Sequence, residues 1–213
     1  MTEKETAFLG KITAGMTHEF MNVLATIGQT SGLMEDLLVL CRDESFPYQE
    51  KFIKILNTIR TQVRRGTEIG TRLKDFAHSM DEIPTHADVD ELMEQVVFMM
   101  QRFANLKKVK LYFIPLENQF VISVDLFRIE MLIAKCIEKC LERAGEGDTI
   151  RLGSEKRSGE IAFLILIEFD SNADNRAIVD EMIDIEETLA ILHARIKPLE
   201  RPSSVGLQLV LPI

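Results

Sequence analysis

Apolar residues recur at steps of three and four over the first 80 residues, the spacing of one face of an α-helix. A first stripe runs through the proline-free segment 4–42 and comprises Phe8, Ile12, Met16, Phe20, Val23, Leu24, Ile27, Leu37 and Leu38. After the turn signal Asp43–Pro47, a second helix is predicted from about Pro47 to Met80, with a stripe that runs from Phe52 to Phe76. The pattern predicts a hairpin of two long amphipathic helices. Because two helices alone cannot bury both stripes, we expect two hairpins to pair as a dimeric four-helix bundle.

After Met80 the pattern changes to short alternating segments between helical ones. Asp81–Thr85 predicts a linker. The predicted elements that follow are a helix from 87 to about 105, strands at 109–113 and 120–124, a helix at 126–144, strands at 149–153 and 161–169, a helix near 183–194 and a strand at 206–211. The order α-β-β-α-β-β-α-β predicts a mixed sheet with helices on one face, an α+β sandwich. We therefore expect two domains, a helical hairpin over 1–80 and an α/β sandwich over 81–213.

Charge and composition narrow the functional classes. The net charge is −9, and all of the negative excess lies after residue 80, which argues against nucleic acid as a partner. The three cysteines do not form a disulfide or zinc pattern, and Cys136 and Cys140 are expected to be core residues. The chain shows neither a signal-peptide pattern nor an apolar stretch long enough to span a bilayer, so we expect a cytoplasmic protein without membrane contact.

The first helix carries the candidate chemistry. His18 lies beside the apolar stripe, Glu19 follows it directly, and Asn22 lies one turn further on the same face. A phosphoryl-accepting histidine needs an accessible neutral ring nitrogen and an acceptor for the proton on the other nitrogen, which Glu19 can supply. A zinc site of the H-E-x-x-H type is excluded, because Asn22 stands where the second histidine would be. From these residues alone, a surface histidine without a catalytic role stays an alternative.

The segment Phe8–Leu24 resembles the H-box of histidine kinases. In that family a histidine is followed by an acidic residue and, four positions after the histidine, by Asn or Thr. Val23 replaces the usual proline, which leaves the helix straighter. The resemblance implies that His18 is the phospho-acceptor, Glu19 the acid–base residue, and Asn22 the polar residue used in dephosphorylating the partner.

The second domain is similar in layout to the ATP-binding domain of histidine kinases, but the nucleotide motifs differ. The two asparagines of the family's N-box fall on Lys135 and Lys139, and an ammonium group cannot ligate Mg²⁺. At the D-x-G-x-G motif, Asp170–Asp174 has no glycine, and the acidic stretch Asp180–Thr188 replaces the glycine-rich lid. The resemblance therefore implies an ATPase-like domain that has lost its ATP-binding residues and holds no tightly bound cofactor.

These observations predict a histidine phosphotransferase of two-component signalling. It would relay a phosphoryl group between His18 and the aspartate of response-regulator receiver domains, which bring their own Mg²⁺. The expected partners are a second copy of the chain and receiver domains, with an upstream histidine kinase as a further candidate. Three alternatives stay open: a sensor histidine kinase with a divergent ATP site, a response-regulator phosphatase, and a non-catalytic pseudo-kinase scaffold.

Overall fold

The computed structural model describes residues 2–40, 48–80, 84–115, 120–157, 159–168, 186–201 and 204–213. Twelve elements lie in these ranges. In chain order they are α1 (Glu3–Leu40), α2 (Gln49–His78), β1 (Thr85–Asp88), α3 (Val89–Leu106), β2 (Lys110–Phe113), β3 (Val121–Val124), α4 (Leu126–Arg143), β4 (Thr149–Arg157), β5 (Glu160–Glu168), α5 (Glu186–Ile191), β6 (Arg195–Arg201) and β7 (Ser204–Pro212). The helical N-terminal part and the mixed sheet confirm the predicted α+β class.

The chain divides into two compact units, Gly10–Asp75 and a second unit of Met1–Leu9 with Phe76–Ile213. We call them the hairpin unit and the sheet unit. The hairpin unit consists of most of α1 and α2, whose predicted bounds are confirmed to within two residues. The two helices lie side by side at Gly66, where the position of a Cβ atom would be 3.2 Å from Cγ1 of Val23.

The sheet unit contains a five-stranded sheet in the order β2-β4-β5-β7-β6 and a two-stranded antiparallel sheet of β1 and β3. β2 and β4 are parallel, whereas the other pairs of the larger sheet are antiparallel. α3 and α4 pack against this sheet, and their buried side chains include Met93, Met100, Ile133 and Ile137. Burial of such aliphatic side chains is the main stabilising contribution to the unit.

Aspartates begin both long helices of the sheet unit. The Asp88 carboxylate accepts hydrogen bonds from the backbone N–H groups of Asp90 and Glu91, at 2.9 and 3.2 Å. Asp125 accepts in the same way from the N–H of Arg128 at 3.1 Å. These bonds satisfy donors that the first turn of a helix leaves unpaired, and each cap stabilises its helix by about 1 kcal/mol.

Three phenylalanine rings bring distant parts of the sequence together in the sheet unit. Phe8 of α1, Phe76 of α2 and Phe127 of α4 are buried, and each pair of ring centroids is 5.8 Å apart. Aromatic pairs of this kind contribute about 0.5–1.5 kcal/mol each beyond the burial of their area. They fix the beginning of α1 and the end of α2 to the beginning of α4.

An ionic network lies in the same part of the sheet unit. Arg128 donates one hydrogen bond from Nε to Glu5 at 2.9 Å and another from Nη1 to Asp125 at 2.6 Å. Burial opposes ionisation of Glu5, yet hydrogen bonds from the backbone of Thr2 and from Arg128 lower the pKa of its carboxyl group. Glu5 is therefore held as a carboxylate beside the arginine.

The structure corrects the predicted linker and the start of the third helix. Thr85 was expected to end a linker and Ala87 to begin a helix, but both residues belong to β1, and α3 begins at Val89. β1 pairs with β3, in the register Thr85 with Val124. The short strand has no apolar alternation because His86 and Asp88 are polar, so periodicity did not indicate it.

The C-terminal part is also corrected. The helix expected near 183–194 ends at Ile191 in the described residues, and Arg195–Arg201 forms β6, a strand that the sequence did not predict. β6 is an edge strand paired with β7 alone, and it contains charged residues and Pro198. Charges and proline are typical of edge strands because they discourage further pairing.

Candidate functional site

The H-box residues lie on the outer surface of α1. Ile12, Met16 and Val23 are buried, whereas the side chain of His18 is 57% exposed. The helical period places His18 on a different face of α1 from these buried residues. The His18 side chain is thus accessible to solvent, as a nucleophilic histidine requires.

Asn22 and Glu19 both approach the same nitrogen of the His18 ring. The amide nitrogen of Asn22 is 3.2 Å from Nδ1, within hydrogen-bonding distance. Oε1 of Glu19 is 3.9 Å from Nδ1, which is too long for a hydrogen bond. Among the described residues, both contacts of the ring are therefore made at Nδ1, and Nε2 has no hydrogen-bond partner. The structure brings the three predicted site residues together, while their catalytic roles stay a prediction.

The Asn22 side chain can support either neutral tautomer of His18. With the amide NH₂ group facing the ring, Nδ1 accepts the hydrogen bond and the ring proton lies on Nε2. With the amide turned by 180°, its oxygen accepts from Nδ1–H, and Nε2 carries the lone pair that a nucleophile needs. The two orientations have nearly the same shape and exchange by rotation of one side-chain torsion. Asn22 can therefore form a hydrogen bond with either tautomer of His18.

Glu19 is also bound across the hairpin. Its Oε2 accepts a hydrogen bond of 2.7 Å from Nη2 of Arg65 on α2, 46 residues further along the chain. Arg65 is one of three arginines in this part of α2, with Arg60 and Arg64. The sequence offers no local signal for the contact, because the two residues approach only when α1 and α2 lie side by side.

The hairpin unit has exposed apolar side chains on both of its helices. Phe20, Met21 and Leu24 on α1 and Val63 on α2 are all exposed. Monomeric proteins rarely leave several large apolar side chains in one region open to water, and such regions mark contacts with other molecules. At 3.6 residues per turn, Phe20 lies about 160° and Leu24 about 120° around the helix from His18.

At the N-box positions, α4 carries alternating charges. Lys135 pairs with Glu138, and Lys139 pairs with Glu142, each at 3.0 Å. In these described residues the two lysines lack oxygen ligands for Mg²⁺, and the neighbouring carboxylates repel a triphosphate. The absence of ATP binding stays a prediction. The expected changes at Asp170–Asp174, and those from Asp180 to residue 185, lie outside the described residues.

Other candidate groups in the described ranges are structural. Cys136 and Cys140 are buried thiols, and burial raises the pKa of Cys136 to about 12, which confirms their assignment to the core. Within these ranges no three His, Cys, Asp or Glu side chains form a group that would hold a metal ion. No described helix is both long and apolar enough to cross a membrane.

Comparison with known proteins shows the class of fold. Neither a protein-family profile nor a curated protein sequence matches the chain. Among solved structures, however, the mixed sheet with its two packed helices is found in the catalytic domains of histidine kinases. The chain therefore has a histidine-kinase-like core.

Three of the similar structures are the following. The nucleotide-free catalytic domain of the histidine kinase ThkA has a TM-score of 0.50 at 14% identity, over 62% of this chain and 96% of that one. A bacterial phosphotransferase has a TM-score of 0.50 at 10% identity, over 98% of this chain and 97% of that one. ThkA in complex with the response regulator TrrA has a TM-score of 0.49 at 16% identity, over 97% of this chain and 62% of that one.

Proposed function

We propose that this protein is a histidine phosphotransferase of two-component signalling, which exchanges a phosphoryl group between His18 and the aspartate of a receiver domain. The observation that carries the proposal is the arrangement of the exposed His18 ring, which has both of its contacts at Nδ1 and leaves Nε2 without a partner among the described residues. The fold supports it, since it is shared over nearly the whole chain with a bacterial phosphotransferase.

The proposed step is an in-line displacement at phosphorus. The lone pair of Nε2 attacks the phosphoryl group, the N–P bond forms, and the P–O bond to the receiver aspartate breaks with its electrons left on the carboxylate. The ring then carries a positive charge and keeps its proton on Nδ1, where Asn22 and the carboxylate of Glu19 stabilise it. The Mg²⁺ of the receiver neutralises the transferred phosphoryl group. The reverse step returns the group to aspartate.

The sheet unit is proposed to act without ATP. The support is the pair of lysine–glutamate contacts on α4. At these two positions histidine kinases have the asparagine side chains of the N-box, whereas this chain has an ammonium group beside a carboxylate. The unit would then serve as a docking surface for receiver domains. Phosphoryl groups would come from a receiver domain that an upstream histidine kinase has phosphorylated.

The active form is proposed to be a homodimer. Phe20 and Leu24 give α1 an exposed apolar face, and Val63 adds a further exposed apolar side chain on α2. A second hairpin would cover these side chains in a four-helix bundle. Because His18 lies about 120–160° around α1 from these two side chains, it would stay accessible to a receiver.

The test is transfer of labelled phosphoryl groups from a panel of purified receiver domains phosphorylated beforehand. We expect acid-labile label on the wild-type chain, none on His18→Ala, and unchanged label on His78→Ala, which removes another exposed histidine. Asn22→Asp should retain transfer, because a carboxylate accepts from Nδ1–H and holds the reactive tautomer. Asn22→Ala should slow transfer by about tenfold.

Other outcomes would identify the alternatives. Label taken from ATP alone would make the protein a kinase and contradict the proposal. Phosphate release from the receiver that survives His18→Ala but is lost in Asn22→Ala would indicate a phosphatase. A receiver that binds and neither gains nor loses label would indicate a scaffold.

A further inference from the structure

The contact between α1 and α2 at Glu19 involves one oxygen of the carboxylate. Oε2 is 2.7 Å from Nη2 of Arg65, and Oε1 is the oxygen nearer to the ring of His18, 3.9 Å from Nδ1. The Glu19 side chain is 26% exposed and that of Arg65 54% exposed, so the contact is partly shielded from water. The carboxylate thus has its two oxygens directed at two different partners on two helices.

This geometry constrains the carboxylate. A glutamate side chain has three torsions and many rotamers, most of which would direct the carboxylate into solvent. A hydrogen bond from a residue on the neighbouring helix restricts it to those in which Oε1 points towards His18. A movement of about 1 Å then brings Oε1 within hydrogen-bonding distance of Nδ1, and catalytic contacts commonly tighten in this way when the substrate binds.

We infer that Arg65 is the positioning residue of the phosphoryl-accepting site, and that it acts on His18 through Glu19. The inference rests on the proposed function for the role of His18 in signalling. The effect of Arg65 on the chemical reactivity of His18 can be measured independently of that function. Arg65 touches neither the ring nor the transferred group. It keeps Glu19 oriented for the moment when the ring becomes positively charged.

The expected effect is moderate, because ion pairs at this degree of exposure are weak. We expect Arg65→Ala to lower the rate at which His18 is modified by about two- to fivefold. Since one guanidinium nitrogen makes the contact, a lysine ammonium can replace it, and Arg65→Lys should recover most of the rate. Arg64→Ala removes an adjacent exposed arginine of α2 and is the matched control, with an unchanged rate.

The action through Glu19 is tested by combining substitutions. If Arg65 acts only by orienting the carboxylate, Arg65→Ala should have no further effect in a Glu19→Gln background. A purely structural role would lower the rate in both backgrounds, and a general electrostatic role would be shared by Arg64→Ala. Either result would overturn the inference.

The measurement does not need a receiver. The full chain is treated with diethylpyrocarbonate, which modifies unprotonated imidazole nitrogens, and in parallel with phosphoramidate as a small phosphoryl donor. Mass spectrometry of the His18 peptide gives the rate, with His78, His86 and His193 of the same chain as internal references. Equal His18 rates in the wild type and Arg65→Ala would overturn the inference.

The two proposals fail separately. If receivers transfer no label but the chemical reactivity of His18 follows the expected order, the proposed function is wrong and the role of Arg65 is retained. If receivers transfer label to His18 but Arg65→Ala matches the wild type in both chemical assays, the function stands and the positioning role is wrong.

Discussion

Glu130 of α4 is an ionisable side chain in the core of the sheet unit. It is 2% exposed, and its Oε2 has no hydrogen-bond partner among the described residues. Burial raises the pKa of its carboxyl group from 4.5 to about 8, and a hydrogen bond with Ser79 opposes the shift only in part. The folded protein therefore holds a neutral glutamic acid at pH values where the unfolded chain holds a carboxylate.

The consequence is a dependence of stability on pH. Between 4.5 and about 8 the folded state binds the proton more tightly than the unfolded state, so the stabilising contribution is complete at low pH and is lost as pH rises through about 8. The slope attributable to Glu130 is about 1.4 kcal/mol per pH unit inside this window. We expect Glu130→Gln to remove this slope and to be the more stable protein at the upper end.

Urea unfolding of the wild type and Glu130→Gln at about pH 5 and pH 7 measures the effect, with an expected difference in slope of about 1.4 kcal/mol per unit. Glu142→Gln is the control, because this glutamate of the same helix has a 58% exposed side chain. Parallel curves for the wild type and Glu130→Gln would show that Glu130 is already ionised in the folded state.

The candidate site could be predicted only in part from its residues. His18, Glu19 and Asn22 lie within five positions of one helix, so spacing alone places them together. The contact of Glu19 with Arg65 spans 46 residues and depends on how α1 and α2 pack. Local spacing carries no information on such a contact. The sequence does not show which of the basic residues of α2 lies beside Glu19.

At the scale of elements, two glycines in the central strands differ in the space available for an added Cβ atom. A Cβ atom on Gly206 of β7 would lie 1.9 Å from the carbonyl oxygen of Ile165 on β5, and backbone atoms cannot move aside. A Cβ atom on Gly153 of β4 would have no atom within 4 Å. The two strands thus give a matched pair of substitutions in one sheet.

We expect Gly206→Ala to lower the free energy of unfolding by about 3 kcal/mol, because β5 and β7 must separate to admit the methyl group. Gly153→Ala should change it by less than about 0.5 kcal/mol. Urea denaturation followed by circular dichroism checks both. Similar losses in the two variants would mean that strand propensity, and not the close approach to Ile165, decides the outcome.

The elements that the sequence predicted correctly are those with strong periodicity. α1, α2, α4 and β5 each bury a regular set of apolar side chains, and their bounds are confirmed to within about three residues. β1 and β6 were missed because their polar and charged residues suit short or edge strands, which are defined by pairing with a distant partner. Pairing is a tertiary property that the local pattern does not carry.

For the molecule as a whole, the distribution of exposed apolar side chains points to association through the hairpin unit. Nine of the fifteen large apolar side chains that are exposed among the described residues lie between Gly10 and Asp75. They are Phe20, Met21, Leu24, Leu33, Leu38, Val39, Ile53, Leu56 and Val63. The longer sheet unit has six, which is the ordinary scatter of a monomer surface.

We expect the wild-type chain to be a dimer and Leu24→Glu to be a monomer, because a charge on this face would be buried without a partner in the bundle. Val121→Glu places the same charge on a 62% exposed position of β3 and should stay dimeric. Sedimentation velocity over a range of concentrations distinguishes the species. A monomeric wild type, or a Leu24→Glu dimer of unchanged affinity, would contradict the proposed bundle.

The hydrogen bond between Glu5 and Arg128 joins residues 123 positions apart, and it sets an order for assembly during synthesis. At roughly 5–20 residues per second, the arginine leaves the ribosome roughly 6–25 s after the glutamate. Phe127 is synthesised about as long after Phe8. The contacts within the hairpin need only nearby sequence and form in that interval. The first turns of α1 thus reach their native surroundings only after α4 has been synthesised, later than the rest of the hairpin.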